Sequence, residues 1–214
     1  MLRVLYFQYS SLKEFEYVLS FVKLSSSSRY NYLNNFCFEK DKYNSALAYT
    51  MLCMGRKKSY LEILREKNNK PRLEDVFISI SHTDGLVVVA LSDFDIGIDC
   101  EKFGTVDDEI KNMIFSDNEL KQSKNDDFRT TLFWTGKESL SKLRNEDWYS
   151  TKRTNFFIRS NSLIDNKNPS IYFYYKVVND RVICLASEEI FNDIIFEEVA
   201  EFDLHNFCLK NIEL

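Results

Sequence analysis

Two acidic residues, Asp99 and Glu101, lie two positions apart in a segment whose pattern indicates a β-strand. Because successive side chains of a strand alternate between faces, both carboxylates point to the same side, and Gly97 on that side leaves room beside them. Neighbouring negative charges repel each other, and a bound divalent cation is the simplest relief. Ligands that are all oxygen favour magnesium, which also binds phosphate oxygens. For this pair alone, a solvated strand edge is the commoner explanation.

A second candidate lies in the segment from Phe133 to Lys142. Glu138 and Lys142 are four residues apart on a predicted helix, so they share one face. Lys137 is turned away from Glu138 by about 100° around the helix axis. Taken alone, Glu138 and Lys142 would form a surface ion pair that stabilises the helix by about 0.5 kcal/mol or less. Trp134, one turn before Glu138, is expected to anchor the helix by packing.

The third candidate is the dipeptide Ser81-His82, which directly precedes a predicted turn. The turn is Asp84-Gly85, the strongest hairpin signal in the chain, because both residue types tolerate a positive φ. His82 is one of two histidines in the sequence. A side chain at this place can reach a ligand at the end of a sheet, although a lone histidine is most often structural.

The first part of the chain mixes strands and helices. Its predicted strands are Leu2–Tyr9, Leu61–Arg65, Val76–Ile80 and Leu86–Leu91. Its predicted helices run from a capping box at Ser11–Glu14 to Lys23, and over Arg29–Phe38 and Asp41–Met54. The serine run Ser25–Ser28 indicates a loop, and Gly55 is expected to end the third helix.

The second part repeats the succession of strand and helix. Phe94–Glu101 is a predicted strand, followed by helices over Val106–Ile114, Ser116–Lys124 and Asp127–Leu143. Ile171–Val178 and Val182–Ala186 are predicted to form a hairpin that turns at Asn179-Asp180, and Glu198–Phe202 a final strand. The pattern predicts an α+β protein of two similar halves, residues 1–93 and 94–214, related by a pseudo-two-fold axis, with the active site in the cleft between them.

Composition excludes several classes of protein. The chain has 214 residues, 44% of them hydrophobic, which suffices for a packed core. Its net charge of −5, with no long basic stripe, argues against nucleic-acid binding. Five cysteines at irregular spacing, without a CxxC pair or a signal sequence, indicate reduced thiols in the cytoplasm. We expect a monomer that does not bind membranes.

The three candidates, together with Lys70-Pro71, occur in a specific order. The order is Lys70-Pro71, Ser81-His82-Thr83, Gly97-Ile-Asp-Cys-Glu101 and Trp134-Thr-Gly-Lys-Glu-Ser-Leu-Ser-Lys142. This set resembles the Sfp-type 4′-phosphopantetheinyl transferases. The resemblance implies transfer of 4′-phosphopantetheine from coenzyme A to a serine of an apo carrier protein (peptidyl, acyl or polyketide carrier), with release of 3′,5′-ADP.

The resemblance also implies a role for each matching residue. Asp99, Glu101 and Glu138 would bind Mg²⁺ against the pyrophosphate of coenzyme A. Ser81 and His82 would contact the nucleotide phosphates, and Lys70 and Pro71 would line the adenine and ribose side. Lys142 would contact the pyrophosphate and protonate the departing 3′,5′-ADP. Glu138, directly or through a metal-bound water, would take the proton of the carrier serine. Lys137 would act on the 3′-phosphate or on the carrier.

The chain departs from the family pattern at three places. Asn44 stands where family members usually carry an arginine that contacts the nucleotide, so either Lys42 or Lys57 compensates or the affinity for the 3′-phosphate falls. Asn69 replaces a glycine, and Leu143–Trp148 replaces a glycine-rich turn. The alternatives are an inert homologue that binds coenzyme A or a carrier protein, and a hydrolase of nucleotide pyrophosphates.

Overall fold

A computed structural model describes residues 2–11, 15–66, 68, 70–159, 162–192 and 194–212. The strands are β1 (Leu2–Gln8), β2 (Leu64–Arg65), β3 (Pro71–Arg72), β4 (Phe77–Thr83), β5 (Leu86–Ser92), β6 (Ile96–Lys102), β7 (Phe156–Arg159), β8 (Ser162–Asp165), β9 (Tyr172–Val178), β10 (Arg181–Ser187) and β11 (Phe196–Glu198). The helices are α1 (Glu16–Ser25), α2 (Ser27–Leu33), α3 (Glu39–Arg56), α4 (Asp108–Ile114), α5 (Asp117–Gln122), α6 (Asp127–Arg144) and α7 (Glu201–Ile212), with a 3₁₀-helix at Trp148–Arg153. The α+β class predicted from the sequence is confirmed, whereas the pseudo-two-fold relation stays a prediction.

The first sheet has the strand order β11-β1-β5-β4-β3-β2. Strands β4 and β5 pair through the predicted turn, where Gly85 has a φ of 74°. Helices α1, α3 and α7 cover one face of this sheet and bury a large apolar cluster that includes Phe21, Leu47 and Leu52. This cluster holds the N-terminal part of the active-site walls in place.

The second sheet has the order β6-β10-β9, and helix α6 packs on β6 and β10. The β9–β10 turn is the predicted Asn179-Asp180, with Asn179 at a φ of 54°. A second apolar cluster around Phe133 and Phe156 lies beneath α6. Strands β7 and β8 form a separate two-stranded sheet beside it.

A third apolar cluster joins the two sheets. It combines residues of β1 and β5 with Ile98 and Cys100 of β6 and with Ile183 of β10. Across the same junction, the Ser79 hydroxyl of β4 accepts a hydrogen bond from the backbone N–H of Ile98 at 2.9 Å. Strand β6 therefore lies beside β4, and residues of the two motif-bearing strands face each other.

The C-terminal segment returns to the first sheet. Strand β11 pairs in parallel with β1, and α7 packs against α1 and α3. The division of the chain after residue 93 stays a prediction, but residues 196–212 contact the N-terminal sheet and its helices. Within the described residues, no helix combines the length and apolar character needed to cross a membrane.

Three predictions of local structure were wrong. The loop at Ser25–Ser28 is almost absent, because the Ser26 side chain caps α2 directly after α1. Gly55 does not end α3; it packs closely against Leu5 and Leu91, and Lys57 takes the left-handed conformation instead. The predicted strand Glu198–Phe202 is replaced by the end of β11 and the start of α7.

One further predicted element is shorter than expected, and another lies partly outside the described residues. The predicted strand Leu61–Arg65 shrinks to the two residues of β2. The capping box predicted at Ser11–Glu14 falls partly outside the described residues, as does Asn69.

Gly97 is the position at which α6 approaches β6 most closely. A Cβ atom added there would overlap the carbonyl O of Ser139 and the amide N of Leu143. Both are backbone atoms of one helix, so they cannot move apart independently. Any side chain at position 97 would push α6 away from the strand that carries Asp99 and Glu101.

We expect Gly97→Ala to lower the free energy of unfolding by about 3 kcal/mol or more, since overpacking against backbone leaves little room for relaxation. Gly55→Ala is the matched control, because its added Cβ would meet only side-chain methyl groups of Leu91 at 2.9 Å and Leu5 at 3.2 Å. Alanine at position 55 also stabilises the helix relative to glycine by up to about 1 kcal/mol. Urea unfolding measures both variants, and equal losses would contradict the special role of Gly97.

Candidate active site

Three elements bring the predicted motifs to one place. Strand β4 carries Ser81 and His82, strand β6 carries Asp99 and Glu101, and helix α6 carries the motif that ends at Lys142. Strands β4 and β6 are neighbours, and α6 crosses β6 at Gly97. The side chains that the sequence analysis predicted to lie together are therefore carried by three elements that pack against one another.

Ser81, Asp99 and Lys142 form a closed triangle of hydrogen bonds. The Ser81 hydroxyl donates to Asp99 Oδ1 at 2.7 Å. The Lys142 ammonium donates to the same Oδ1 at 2.7 Å and to Ser81 Oγ at 3.0 Å. Burial lowers the pKa of Lys142, but the charge and hydrogen bond of Asp99 outweigh this effect and raise it. Lys142 is therefore held as a cation over Asp99.

Glu101 and Glu138 both have unusual proton affinities. Burial, followed by the negative charge of Asp99, raises the pKa of each carboxyl from 4.5 to about 7. Thr83 donates a hydrogen bond to Glu101 Oε2 at 3.3 Å. A hydrogen bond from Trp134 also lowers the pKa of Glu101, so this ring does more than the packing predicted for it. Both carboxyls therefore bind a proton more tightly than an ordinary glutamate does.

The acidic side chains have the donor chemistry that magnesium requires. Asp99 Oδ2 is buried and, among the described residues, has no hydrogen-bond partner. An oxygen of this kind fits a hard cation. Besides burial, the negative charge of Asp99 contributes to the raised pKa values of the neighbouring carboxyls, and a bound cation would offset that charge. Within the described residues, no three His, Cys, Asp or Glu side chains are arranged closely enough to surround one ion. The oxygen ligands that Asp99, Glu101 and Glu138 offer fit this ion by their chemistry.

A cleft of ≈ 460 Å³ opens beside the triangle. Its walls include all of the predicted residues of β4 and β6, together with Lys142 and Pro71. They also include residues from α2, the α2–α3 connection, α3 and β2 that the motifs did not indicate: Arg29, Tyr32, Phe36, Ser45, Ala48 and Arg65.

Arg29 and Arg65 both lie close to the Tyr32 ring. The Arg29 guanidinium carbon is 4.7 Å and that of Arg65 5.3 Å from the ring centroid. Arg29 also donates to Ser45 Oγ at 2.7 Å, and Arg65 donates to the Tyr32 hydroxyl at 3.1 Å. Sequence reasoning missed both arginines, since they are far apart in the chain and belong to no motif. Only the fold of α2 against β2 makes them one cationic wall.

Lys70 connects the two parts of the molecule. Its ammonium donates to Asp95 Oδ1 at 2.5 Å and to the carbonyl of Leu143 at 2.9 Å, so it ties the start of β3 to the end of α6. Pro71 follows at the wall of the cleft and of a neighbouring cavity of ≈ 240 Å³. The predicted contact of Lys70 and Pro71 with adenine and ribose stays a prediction.

The predicted role of Lys137 is wrong. Its side chain is fully buried in the second core, where it pairs with Glu119 at 3.0 Å and donates to Thr154. The rings of Phe115 and Phe156 flank the ammonium. The turn of about 100° that separates Lys137 from Glu138 directs it into the protein rather than toward a ligand. It anchors the helix in the core and does not line the cleft.

Asn44 also has a structural partner that the sequence did not suggest. The residue is fully buried in α3, where it accepts a hydrogen bond from Tyr9 and contacts His82. Lys42 and Lys57, considered above as replacements for an arginine, do not line the cleft. The cations that do so are Arg29, Arg65 and Lys142.

The raised pKa values predict a pH-dependent stability in the absence of metal. Glu101 and Glu138 hold their protons up to about pH 7 in the folded protein but only to the ordinary value of 4.5 when unfolded. Their contribution to the free energy of unfolding is therefore complete below pH 4.5 and is lost as pH rises toward 7. Urea unfolding in EDTA between about pH 5 and pH 8 measures this decline. The double variant Glu101→Gln/Glu138→Gln should show a flatter profile, and an unchanged slope would contradict the assignment.

Comparison with known proteins places the chain in a family. Residues 95–190 match the 4′-phosphopantetheinyl transferase superfamily. A 169-residue stretch is 30% identical to the 4′-phosphopantetheinyl transferase gsp of Aneurinibacillus migulanus, covering 71% of this chain and 66% of that protein. The match thus spans slightly under two thirds of the relative's length. With residues of each motif at one cleft, these similarities support assignment of the chain to the 4′-phosphopantetheinyl transferase superfamily.

Proposed function

We propose that this protein transfers the 4′-phosphopantetheine arm of coenzyme A to a serine hydroxyl of an apo carrier protein and releases 3′,5′-ADP. The observation that supports this most is the triangle of Ser81, Asp99 and Lys142, which joins three separate motifs at the wall of one cleft. The superfamily match and the named relative support the same reaction class.

Phosphoryl transfer depends on positioning and on neutralising charge more than on covalent help from the protein. The Lys142 ammonium is the cation best placed for this task, because Asp99 and Ser81 restrict it to one position. It binds the pyrophosphate of coenzyme A and stabilises the negative charge that develops on the departing 3′,5′-ADP. Donors that are already oriented need little rearrangement during the reaction, which is why they lower the barrier effectively.

Glu138 is the proposed general base. In the metal-free protein, burial and then the charge of Asp99 raise the pKa of Glu138 to about 7, so it binds a proton better than an ordinary glutamate. It takes the proton of the carrier serine as that oxygen attacks the β-phosphorus of coenzyme A. The P–O bond to 3′,5′-ADP breaks, and Lys142 supplies the balancing positive charge or proton to that product.

Magnesium is the proposed cofactor, held by Asp99, Glu101 and Glu138. Once bound, Mg²⁺ neutralises phosphate charge and orients the pyrophosphate for displacement. The unpartnered Asp99 Oδ2 and the two carboxyls with raised pKa supply the oxygen ligands. In the metal-free protein, Lys142 offsets part of this negative charge.

The arginine wall is the proposed site of the nucleotide phosphates. Arg29 and Arg65 line the same cleft as Ser81 and His82. Arg29 is buried against Tyr32, Tyr49 and Ser45, so its guanidinium is oriented before a ligand arrives. Two arginines can meet a phosphate monoester through charge-assisted hydrogen bonds, which makes the 3′-phosphate of coenzyme A their expected ligand.

The carrier is proposed to be an apo carrier protein or carrier domain of a peptide, polyketide or fatty-acid synthase. We further propose that the protein acts as a monomer in the cytoplasm. Carrier proteins that are acidic must dock against a local basic or apolar surface, because the net charge of −5 on the transferase opposes their approach.

Transfer is tested by incubating the protein with coenzyme A, Mg²⁺ and a panel of apo carrier proteins, followed by intact-mass measurement. The carrier should gain one phosphopantetheine arm, and 3′,5′-ADP should accumulate in equal amount. Asp99→Ala and Glu138→Ala should each reduce kcat by about 100-fold or more, because each removes charge stabilisation at the reacting phosphate.

The control for these acidic variants is Asp75→Ala, which removes a carboxylate that pairs with Arg56 at the surface. Its turnover should match the wild type. A panel that stays unmodified would reject the transferase, and a coenzyme A-dependent rise in Tm without transfer would then identify an inert binding homologue. Release of phosphopantetheine without any carrier would identify a hydrolase.

The arginine wall makes a separate prediction about substrate preference. Arg65→Ala should raise KM for coenzyme A by on the order of 10-fold, the loss expected for one charge-assisted hydrogen bond. It should change KM for dephospho-coenzyme A, which lacks the 3′-phosphate, much less. Arg56→Ala is the control, since this arginine pairs with Asp75 and does not line the cleft. An equal rise in KM for both substrates in Arg65→Ala would show that these arginines do not bind the 3′-phosphate.

A further inference from the structure

A chain of hydrogen bonds runs from the end of β1 through α3 to the cleft. The Tyr9 hydroxyl donates to Asn44 Oδ1 at 2.7 Å, and Asn44 Nδ2 lies 3.4 Å from His82 Nδ1. Asn44 is completely buried, whereas His82 is exposed to the cleft. Tyr9 and Asn44, which do not line the cleft, are therefore connected by hydrogen bonds to His82, which does.

The direction of these bonds follows from the chemistry of the groups. The amide oxygen Asn44 Oδ1 can only accept, so its bond with Tyr9 directs Nδ2 toward the imidazole. Asn44 Nδ2 can only donate, so His82 Nδ1 must accept and cannot carry a hydrogen. In a neutral histidine, the hydrogen is then on the other nitrogen, Nε2. Among the described residues, no hydrogen bond to His82 Nε2 is found, so this N–H is left for a ligand.

We propose that Tyr9 and Asn44 are positioning residues that hold His82 in the tautomer with its hydrogen on Nε2, so that His82 offers the cleft one neutral N–H donor. The natural acceptor for such a donor is an anionic oxygen of a phosphate ester. Removal of water from around the ring lowers the pKa of His82, which favours the same neutral form. The identity of the acceptor rests on the proposed function, whereas the tautomer is a property of the ligand-free protein.

Nitrogen-15 NMR of the ligand-free protein tests the tautomer, because a protonated and an unprotonated ring nitrogen have well-separated shifts. The sequence contains one other histidine, so His205→Gln assigns the signals. His82 should carry its hydrogen on Nε2 in the wild type. In Asn44→Asp the carboxylate can only accept, so the hydrogen should appear on Nδ1, either in the neutral ring or in an imidazolium.

Tyr9→Phe is the second variant, and it leaves Asn44 itself intact. Without the hydroxyl, the amide can rotate by 180°, so His82 should show both tautomers. Tyr43→Phe is the matched control. It removes a tyrosine hydroxyl next to Asn44 on α3 that donates to Glu16 at 2.8 Å instead of to Asn44. The control should keep the hydrogen on Nε2. Circular dichroism establishes that each variant is folded.

Binding of 3′,5′-ADP, measured by calorimetry, gives the consequence for the ligand. Asn44→Asp should weaken binding by about ten-fold or more, and Tyr43→Phe should leave it unchanged. A wild-type His82 with its hydrogen on Nδ1 would overturn the proposal, as would a Tyr9→Phe variant that keeps the wild-type tautomer. If 3′,5′-ADP does not bind the wild type at all, the proposed function fails while the tautomer result still stands.

Discussion

The close approach of α6 to β6 is the constraint on which the active site depends. At Gly97, backbone of the helix occupies the space that any Cβ would fill. Asp99 lies two residues further along the same face of the strand, and Lys142 lies on the helix directly above, so the contact between backbones sets the distance between their charges. A larger separation would leave Asp99 buried without its cation, which is costly in a region of low dielectric.

The rotation of α6 about its own axis is controlled separately, by Lys137. The buried pair of Lys137 and Glu119 cannot be separated cheaply, because either partner alone would be an uncompensated charge in the core. Thr151 and Thr154 accept the remaining hydrogen bonds of the ammonium. With Lys137 directed into the core, Glu138 is turned by about 100° away from it. The direction of the Glu138 side chain thus depends on a neighbour that is buried in the core.

Charge is distributed unevenly along the cleft. At one end, Asp99 and Glu101 lie beside Lys142. Burial, followed by the negative charge of Asp99, raises the pKa of Glu101 and of the neighbouring Glu138. At the other end, Arg29 and Arg65 form a cationic wall against Tyr32. A ligand with several phosphates and an accompanying divalent cation matches this distribution, although the protein as a whole is acidic.

Local sequence determined the α+β class, most helices and strands and the chemical character of the site. Asp84-Gly85 and Asn179-Asp180 form the predicted hairpin turns because positive φ is a property of the residues themselves. Periodicity likewise placed Asp99 with Glu101. Tertiary structure alone decided that Lys137 is buried and that Gly55 continues its helix. It also decided that Arg29 and Arg65 line one cleft beside Tyr32. The reason is physical: periodicity gives the direction of a side chain relative to its own element, whereas burial and partners depend on which other element packs there.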